Sequence, residues 1–585
     1  MVDPITEKVI SNYLFNVAEE MGIITMRTAR SNVIKEGGDF STALYDWKGR
    51  LAQHGRDMPA HQGVFPGLIK KALEKLDINT IKDGDVFITN TEDASGSHLN
   101  DVKMFAPIFF EGEIIMWAAN LSHWPDVGGA VPGSYFTKAT EIYQEGIQIP
   151  LIKVTENWEI RNDVVSLIMK NVRGGQERIG DFNAQLASIK FASKRIQEVF
   201  NKYGKETIYD CFDSLIDYSD KRMREEINKI PDGIYEFTDF MDNDGVENKP
   251  VKFNVKIKVK GDEITFDLSE CDTKVKGPIN SPITQTLSAV YYAVRVVTDH
   301  TIPTNEGLYN CISVITQSGS VVDCLPTAPR VFCTHETSTR LVDICLGAFS
   351  KIIKEKVPAA GYGTSFIMIV GGKDPRTDEY YTYYEPVAGG FGARPNKDGI
   401  DGTRVHMGNT ANTPIEVLEK DYPLFCEQYE FIQDSGGAGE YRGGLGVVKK
   451  LRALSISENY PHATSVSDRN LFAPYGLYGG QPGKTGRFTI KNNGIEVPMP
   501  SDCPGKANYI LQPGEEWIAY APGGGGFGDP LKRDPKKVLK DVLEEKISLD
   551  VAENIYGVII NNKTLEIDSE KTSSLRKSLQ QELVL

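Results

Sequence analysis

Residues 95–129 read SGSHLNDVKMFAPIFFEGEIIMWAANLSHWPDVGG, and this stretch decides how the front of the chain folds. MFAPIFF and EIIMWAANL are strand-length apolar runs, and the Glu111-Gly112 pair between them supplies a tight turn, so Phe105 to Leu121 is predicted to be a β-hairpin. The hairpin starts just after Asp101 and closes at His123, so its two ends bring His98, Asp101 and His123 together. His98 and Asp101 stand three residues apart in a Gly/Ser-rich turn, a spacing that lets an imidazole and a carboxylate converge on one ion without strain. Such a nitrogen and oxygen donor set suits Zn, Mn or Fe(II) better than Ca or Mg. The same residues also serve as capping or hydrogen-bonding pairs, and spacing alone leaves both readings open.

Upstream, GGDFSTALYD sets Asp39 between a glycine break and a strand, the ordinary place for a turn carboxylate. Before it, Ile5, Val9, Ile10, Tyr13, Leu14 and Val17 recur at helical spacing behind Asp3 and Pro4, which predicts an amphipathic helix and not a signal peptide. A helix near 66–76 and a strand at DVFITN complete the mixed front. From 176 to 230 the apolar residues follow the 3.6-residue period and predict a helical pair. Beyond a Pro-Asp-Gly turn at 231–233 come strands at YEFTDFMD and VKFNVKIKVKGDEITFDLSE and a helix at TQTLSAVYYAVRVVT. From about 385 the chain is dense in glycine, with strand-length runs between turns, and its last 55 residues are charged and helical. The predicted class is α+β, a multi-domain mixed fold. Residues 1–230 form an N-terminal metal-bearing α/β region with its helical pair and 231–384 a central α+β domain. Residues 385–530 form a Gly-rich, β-rich domain and 531–585 a helical tail.

The 585 residues are 40% apolar, with 55 glycines, and 65 basic against 80 acidic side chains give a net charge of −15. This excludes disordered and fibrous classes, and the negative balance makes nucleic acid and membrane surfaces poor partners. No window approaches a membrane span, so the cytoplasm is the expected location. Eight cysteines without a C-x-x-C pair read as reduced, packed thiols. GGQPGKTG at 479–486 imitates a phosphate loop, yet Tyr478 stands where the motif needs glycine. Gly523, Gly525 and Gly528 fit a dinucleotide motif, yet Asp529-Pro530 blocks the helix it requires. No nucleotide-binding residues are therefore expected, and no G-x-S-x-G elbow supports a serine hydrolase.

Thirteen segments in order, from DPITEKVI through GGDFSTALYD, PAHQG, GSHLNDV, SHWPDVGG, KNVRGGQERIGDFNAQ and DSGGAGEYRGGLG to APGGGGFGDP, resemble the hydantoinase B family over about 530 residues. The family includes B subunits of ATP-dependent hydantoinases and caprolactamase, the second half of 5-oxoprolinase, and large subunits of acetone and acetophenone carboxylases. The resemblance implies a partner, a hydantoinase A-like ATPase subunit that uses the ATP, in a hetero-oligomer such as a dimer of paired subunits. It also implies a divalent transition metal (Zn, Mn or Fe) on Asp39, His98, Asp101 and His123.

The implied activity is the opening of a small cyclic amide, a hydantoin, 5-oxoproline or lactam, whose carbonyl oxygen the partner has phosphorylated. A Lewis-acidic ion would lower the pKa of water to furnish the nucleophile. Glu36, three residues before Asp39, is a candidate proton acceptor, and His61 in PAHQG a candidate proton shuttle. Arg173 in KNVRGG could clamp the phosphate or form a structural ion pair. Arg442 in the DSGGAGEYRGGLG stretch is expected to shape turns. Two other readings remain open: a carboxylase large subunit, and a non-catalytic scaffold for the ATPase.

Overall fold

The structure, a computed structural model, describes residues 2–454 and 460–582. Helix α1 (Pro4–Thr28) begins where the Asp3 carboxylate accepts from the Ile5 and Thr6 amides at 3.1 and 3.0 Å. The single turn α2 (Asn32–Lys35) leads into β1 (Phe40–Asp46) and β2 (Leu51–His54). Then follow α3 (Leu68–Leu73), β3 (Val86–Thr89), β4 (Asp101–Phe110), β5 (Glu113–His123), β6 (Ile152–Glu156) and β7 (Glu159–Ile160). These strands form one antiparallel sheet in the order β2-β1-β5-β4-β3-β6-β7. The β4–β5 hairpin is longer than the predicted Phe105 to Leu121, because pairing continues to Asp101 opposite His123. The open end is buried, so its backbone groups keep their ladder partners where water is excluded.

Both faces of this sheet are covered, which is why its strands carry few exposed polar positions. On one face Leu44, Ile108, Met116 and Ala118 pack against Ile10, Leu14, Val17 and Met21 of α1. The same layer receives Ala192, Ile196 and Phe200 of α5 (Gly175–Tyr203), which follows α4 (Asn162–Lys170) and is parted from α6 (Lys205–Ile227) at Gly204. On the other face Tyr45, Phe105, Trp117 and Leu121 enter a second core. That core is shared with β8 (Gly233–Met241), β9 (Val251–Lys260), β10 (Glu263–Asp267) and β11 (Ile312–Ile315), a sheet of order β11-β10-β9-β8. Helices α7 (Ile283–Val297) and α8 (Ser338–Ser350) join the same core, so residues before and after 231 pack around a common interior.

The later strands are β12 (Ile367–Lys373), β13 (Tyr380–Pro386), β14 (Leu424–Phe431), β15 (Val447–Ala453), β16 (His462–Val466), β17 (Arg487–Asn492), β18 (Ile495–Pro498), β19 (Lys506–Ile510) and β20 (Glu516–Tyr520), with α9 (Ile415–Asp421) among them. They form the sheets β13-β12-β16-β19 and β14-β15-β20-β17-β18. The tail is α10 (Pro535–Leu543), α11 (Leu549–Asn554) and α12 (Ser569–Glu582), and the last three residues predicted as helical lie outside the described residues.

The glycine-rich segments correct the sequence reading. The stretch at 434–446 was expected to shape turns, but it lies against the Gly523–Gly526 run, which is surrounded by other chain segments. The amides of Gly524, Gly525 and Gly526 donate to the carbonyls of Gly444, Ala360 and Gln481, while Ala393 and Gly437 donate to Gly525 and Gly524. A Cβ at Gly523, Gly524, Gly525 or Gly526 would stand 1.9, 2.2, 2.0 or 2.1 Å from the carbonyl oxygen of Ser435, Phe391, Tyr475 or Ala438. Close backbone approach, and not turn geometry, is what these positions require. The segment at 479–486 belongs to the same bundle, with Gly483 against Gly523, and β17 follows it where a phosphate loop would need a helix.

Candidate metal centre

The pairing of Asp101 with His123 sets both side chains on the inner face of the first sheet, at its open end. His98 arrives from the turn before β4, and the ligand atoms of His98, Asp101 and His123 all lie within 4.8 Å of one another. All three are buried. His98 Nε2 is 2.9 Å from Asp101 Oδ1, and His123 Nδ1 is 3.6 Å from the same oxygen. His98 Nδ1 lies 3.1 Å from the Val331 carbonyl and 3.2 Å from the Thr334 hydroxyl. With Nε2 turned to the Asp101 carboxylate and Nδ1 backed by the Val331 carbonyl, the ring is oriented as a metal-ligating imidazole would be. His123 Nε2 is buried without any partner. Residues and chemistry both fit a divalent transition metal.

Asp39 lines the same cavity, outside that 4.8 Å group, and its carbonyl accepts from the His123 amide at 3.0 Å. His61 stands on the short turn Pro59–His61, its Nδ1 2.8 Å from Ser41 Oγ and its Nε2 3.7 Å from Asp101 Oδ2. The Ser97 hydroxyl donates to Asp101 Oδ2 at 2.6 Å. Burial works to raise the Asp101 carboxyl, but the imidazoles of His98 and His61 outweigh it and hold the group well below the usual carboxylate range.

Two sequence-predicted residues lie elsewhere. Glu36 is half-buried at the C-terminal end of α2, off the cavity wall. The Arg173 guanidinium is taken up by Asp126 at 3.2 Å and by the carbonyls of Gly128, Gly129 and Val131 at 3.1, 2.7 and 3.0 Å. It fastens the loop after the hairpin and is away from the cavity, so the ion-pair alternative describes its place. Arg442, expected to shape turns, pairs with Asp401 at 3.1 Å beside the glycine bundle.

The opposite wall of the cavity comes from residues that the sequence reading missed: Thr334, His335, Ser365, Tyr384, Arg404 and Met407. His335 sits in a π-helical turn, Cys333–Thr337, that opens into α8. Its Nε2 faces the Tyr135 hydroxyl, with the Tyr384 hydroxyl at 3.3 Å. Burial, followed by the nearby imidazoles of His98 and His123, holds His335 well below the usual histidine range. Burial, with the Asp39 charge second, pushes Tyr384 well above the usual phenol range. His335 is thus a neutral imidazole beside two protonated phenols, with Tyr135 the nearer donor and the Tyr384 hydroxyl left to face the cavity. The one legible signal was the polar run THETST at 334–339, which would be unusual in a core for structural reasons alone.

With this geometry in place, the chain can be set among known proteins. It is an α+β chain with a buried histidine and carboxylate centre, and residues 3–530 match the hydantoinase B/oxoprolinase family, to which it belongs. The putative B subunit of a D-/L-hydantoinase from a Pseudomonas species is 33% identical, covering 98% of each chain. The crystal structure of the ATP-dependent caprolactamase from Pseudomonas jessenii has a TM-score of 0.90 at 31% identity, covering 99% of this chain and 100% of that one. An acetone carboxylase structure shares the fold with a TM-score of 0.91 at 19% identity, covering 100% of this chain and 83% of the other. Among the described residues no helix is long and apolar enough to cross a membrane.

Proposed function

We propose that the chain is the ring-opening subunit of an ATP-dependent hydrolase of cyclic amides, acting with a separate ATPase that phosphorylates the ring carbonyl oxygen. The observation that carries this reading is the buried group of His98, Asp101 and His123, with its unpartnered imidazole nitrogen, in a chain similar to a hydantoinase and a caprolactamase. Zn, Mn or Fe held there, with Asp39 alongside, would supply Lewis acidity.

The chain's own side chains divide the remaining work. His61, steadied at Nδ1 by Ser41, takes the proton of the attacking water at Nε2. The Tyr384 hydroxyl, kept protonated, donates to the oxygen on which charge develops. Water adds to the phosphorylated carbon, the C–N bond breaks as the nitrogen takes a proton, and a second water frees phosphate from the acyl phosphate. Burial of the cavity walls keeps bulk water from the intermediate.

The test is reconstitution with the partner ATPase in isotopically labelled water and a panel of hydantoins and lactams. Ring opening should consume one ATP per ring and place solvent oxygen in the new carboxylate. Bicarbonate-dependent loss of a ketone, with every cyclic amide inert, overturns the reading in favour of carboxylation.

A further inference from the structure

Arg404 lines the cavity on the wall facing the metal-binding group. One terminal nitrogen, Nη1, donates to the Tyr362 hydroxyl at 2.6 Å and to the Ser365 carbonyl at 3.1 Å, and the other, Nη2, to Ser365 Oγ at 3.1 Å. Its Nε is buried without a partner. Among the described residues Arg404 forms no ion pair, although most other inward-facing arginines here, such as Arg340, Arg469 and Arg533, are held by carboxylates. A half-buried guanidinium fixed only by neutral groups retains most of its charge for a ligand.

The backbone that carries it is shaped to keep it there. His406 and Met407 take positive φ values of +29° and +56°, which non-glycine residues rarely adopt. At Gly408 a Cβ would stand 2.5 Å from Arg404 Nη2, so glycine leaves the space the guanidinium occupies. Ser365 and Thr410 add hydroxyls to the same wall. A cation with spare donors, opposite a site built for a second cation, is complementary to an oxyanion.

We propose that Arg404 binds the phosphoryl group of the activated substrate, the role that Arg173 is placed too far away to fill. The identity of that group rests on the ring-opening reading; the oxyanion site does not.

Inorganic phosphate and acetate, as probes for phosphoryl and carboxylate, would be titrated by calorimetry into the full chain, with and without prior chelation. Phosphate should bind in both states, and Arg404→Gln should weaken it at least tenfold with the unfolding midpoint and metal content retained. Arg404→Lys should fall between the two, and Gly408→Ala, which displaces the guanidinium without changing charge, should weaken phosphate several-fold. Arg173→Gln should leave the affinity unchanged. Absence of phosphate binding, phosphate binding indifferent to Arg404, or an Arg404 dependence seen only with acetate overturns the proposal. If phosphate binds through Arg404 and no cyclic amide is opened, the ring-opening reading fails and the anion site stands. If Arg404→Gln opens rings at the wild-type rate, the reverse holds.

Discussion

The open end of the β4–β5 hairpin and the glycine bundle around Gly523–Gly526 are built on opposite rules. At the hairpin an ordinary antiparallel ladder presents side chains, and Asp101 opposite His123 does its work through what projects from the backbone. In the bundle nothing projects, and carbonyls of Ser435, Phe391, Tyr475 and Ala438 occupy the positions that side chains would take. One region tolerates a lost side chain in folding terms and loses its chemistry. The other has no chemistry of its own and holds its shape only while it stays bare.

The largest effect follows from that contrast. Gly524→Ala places a methyl 2.2 Å from the Phe391 oxygen, and segments 391 and 524 must part, breaking hydrogen bonds to Gly444 and Gly437 as they do. A destabilisation of about 3 kcal/mol or more is expected, read as a large drop in the thermal unfolding midpoint or as insoluble chain. A midpoint equal to that of the wild type would mean that the bundle has room for a Cβ at this position.

Asp101→Ala is the matching change at the hairpin. It removes the partner of Ser97 and three imidazoles, for about 1–3 kcal/mol, and leaves the backbone ladder in place. Bound transition metal, measured on the purified chain by elemental analysis, should disappear together with ring opening, while the protein remains folded. A variant that keeps its metal would move the centre to other residues.

The hairpin was legible because its information is local. Period, turn and the spacing of His98, Asp101 and His123 all lie in one stretch. Tyr384 and Arg404 were not, and His335 showed only in the polar run at 334–339, because each is brought to the cavity by packing between segments far apart in sequence. Arg173 was left between two readings for a related reason: an arginine beside a glycine pair looks alike whether it meets a ligand or the carbonyls of Gly128, Gly129 and Val131. Glycine density was visible, but composition cannot separate a turn, which needs an unusual φ, from a close approach, which needs only the missing Cβ.

A buried carboxyl joins the two halves of the cavity and makes their stability depend on pH. Glu145 lies buried beneath the wall that carries His335, and its Oε1 accepts from the Arg330 and Val331 amides at 2.6 and 2.9 Å, just where the Val331 carbonyl receives His98. Burial pushes its carboxyl up to about 8, against the pull of those two amides, from an ordinary value of 4.5. Between these limits the folded chain holds a proton that the unfolded chain releases. The contribution of Glu145 is therefore complete below pH 4.5 and is lost as pH rises through about 8. Glu145→Gln cannot titrate, its amide oxygen still accepts from both backbone groups, and its NH₂ fills the place of Oε2, which has no partner. Unfolding midpoints of variant and wild type, compared from pH 5 to pH 9, should diverge in the variant's favour as pH rises towards 8 and level off above it. Taking the difference cancels the titration of every other group. A difference that stays flat would mean that Glu145 is ionised in the fold, and that the wall around Val331 is held by charge and not by a neutral hydrogen bond.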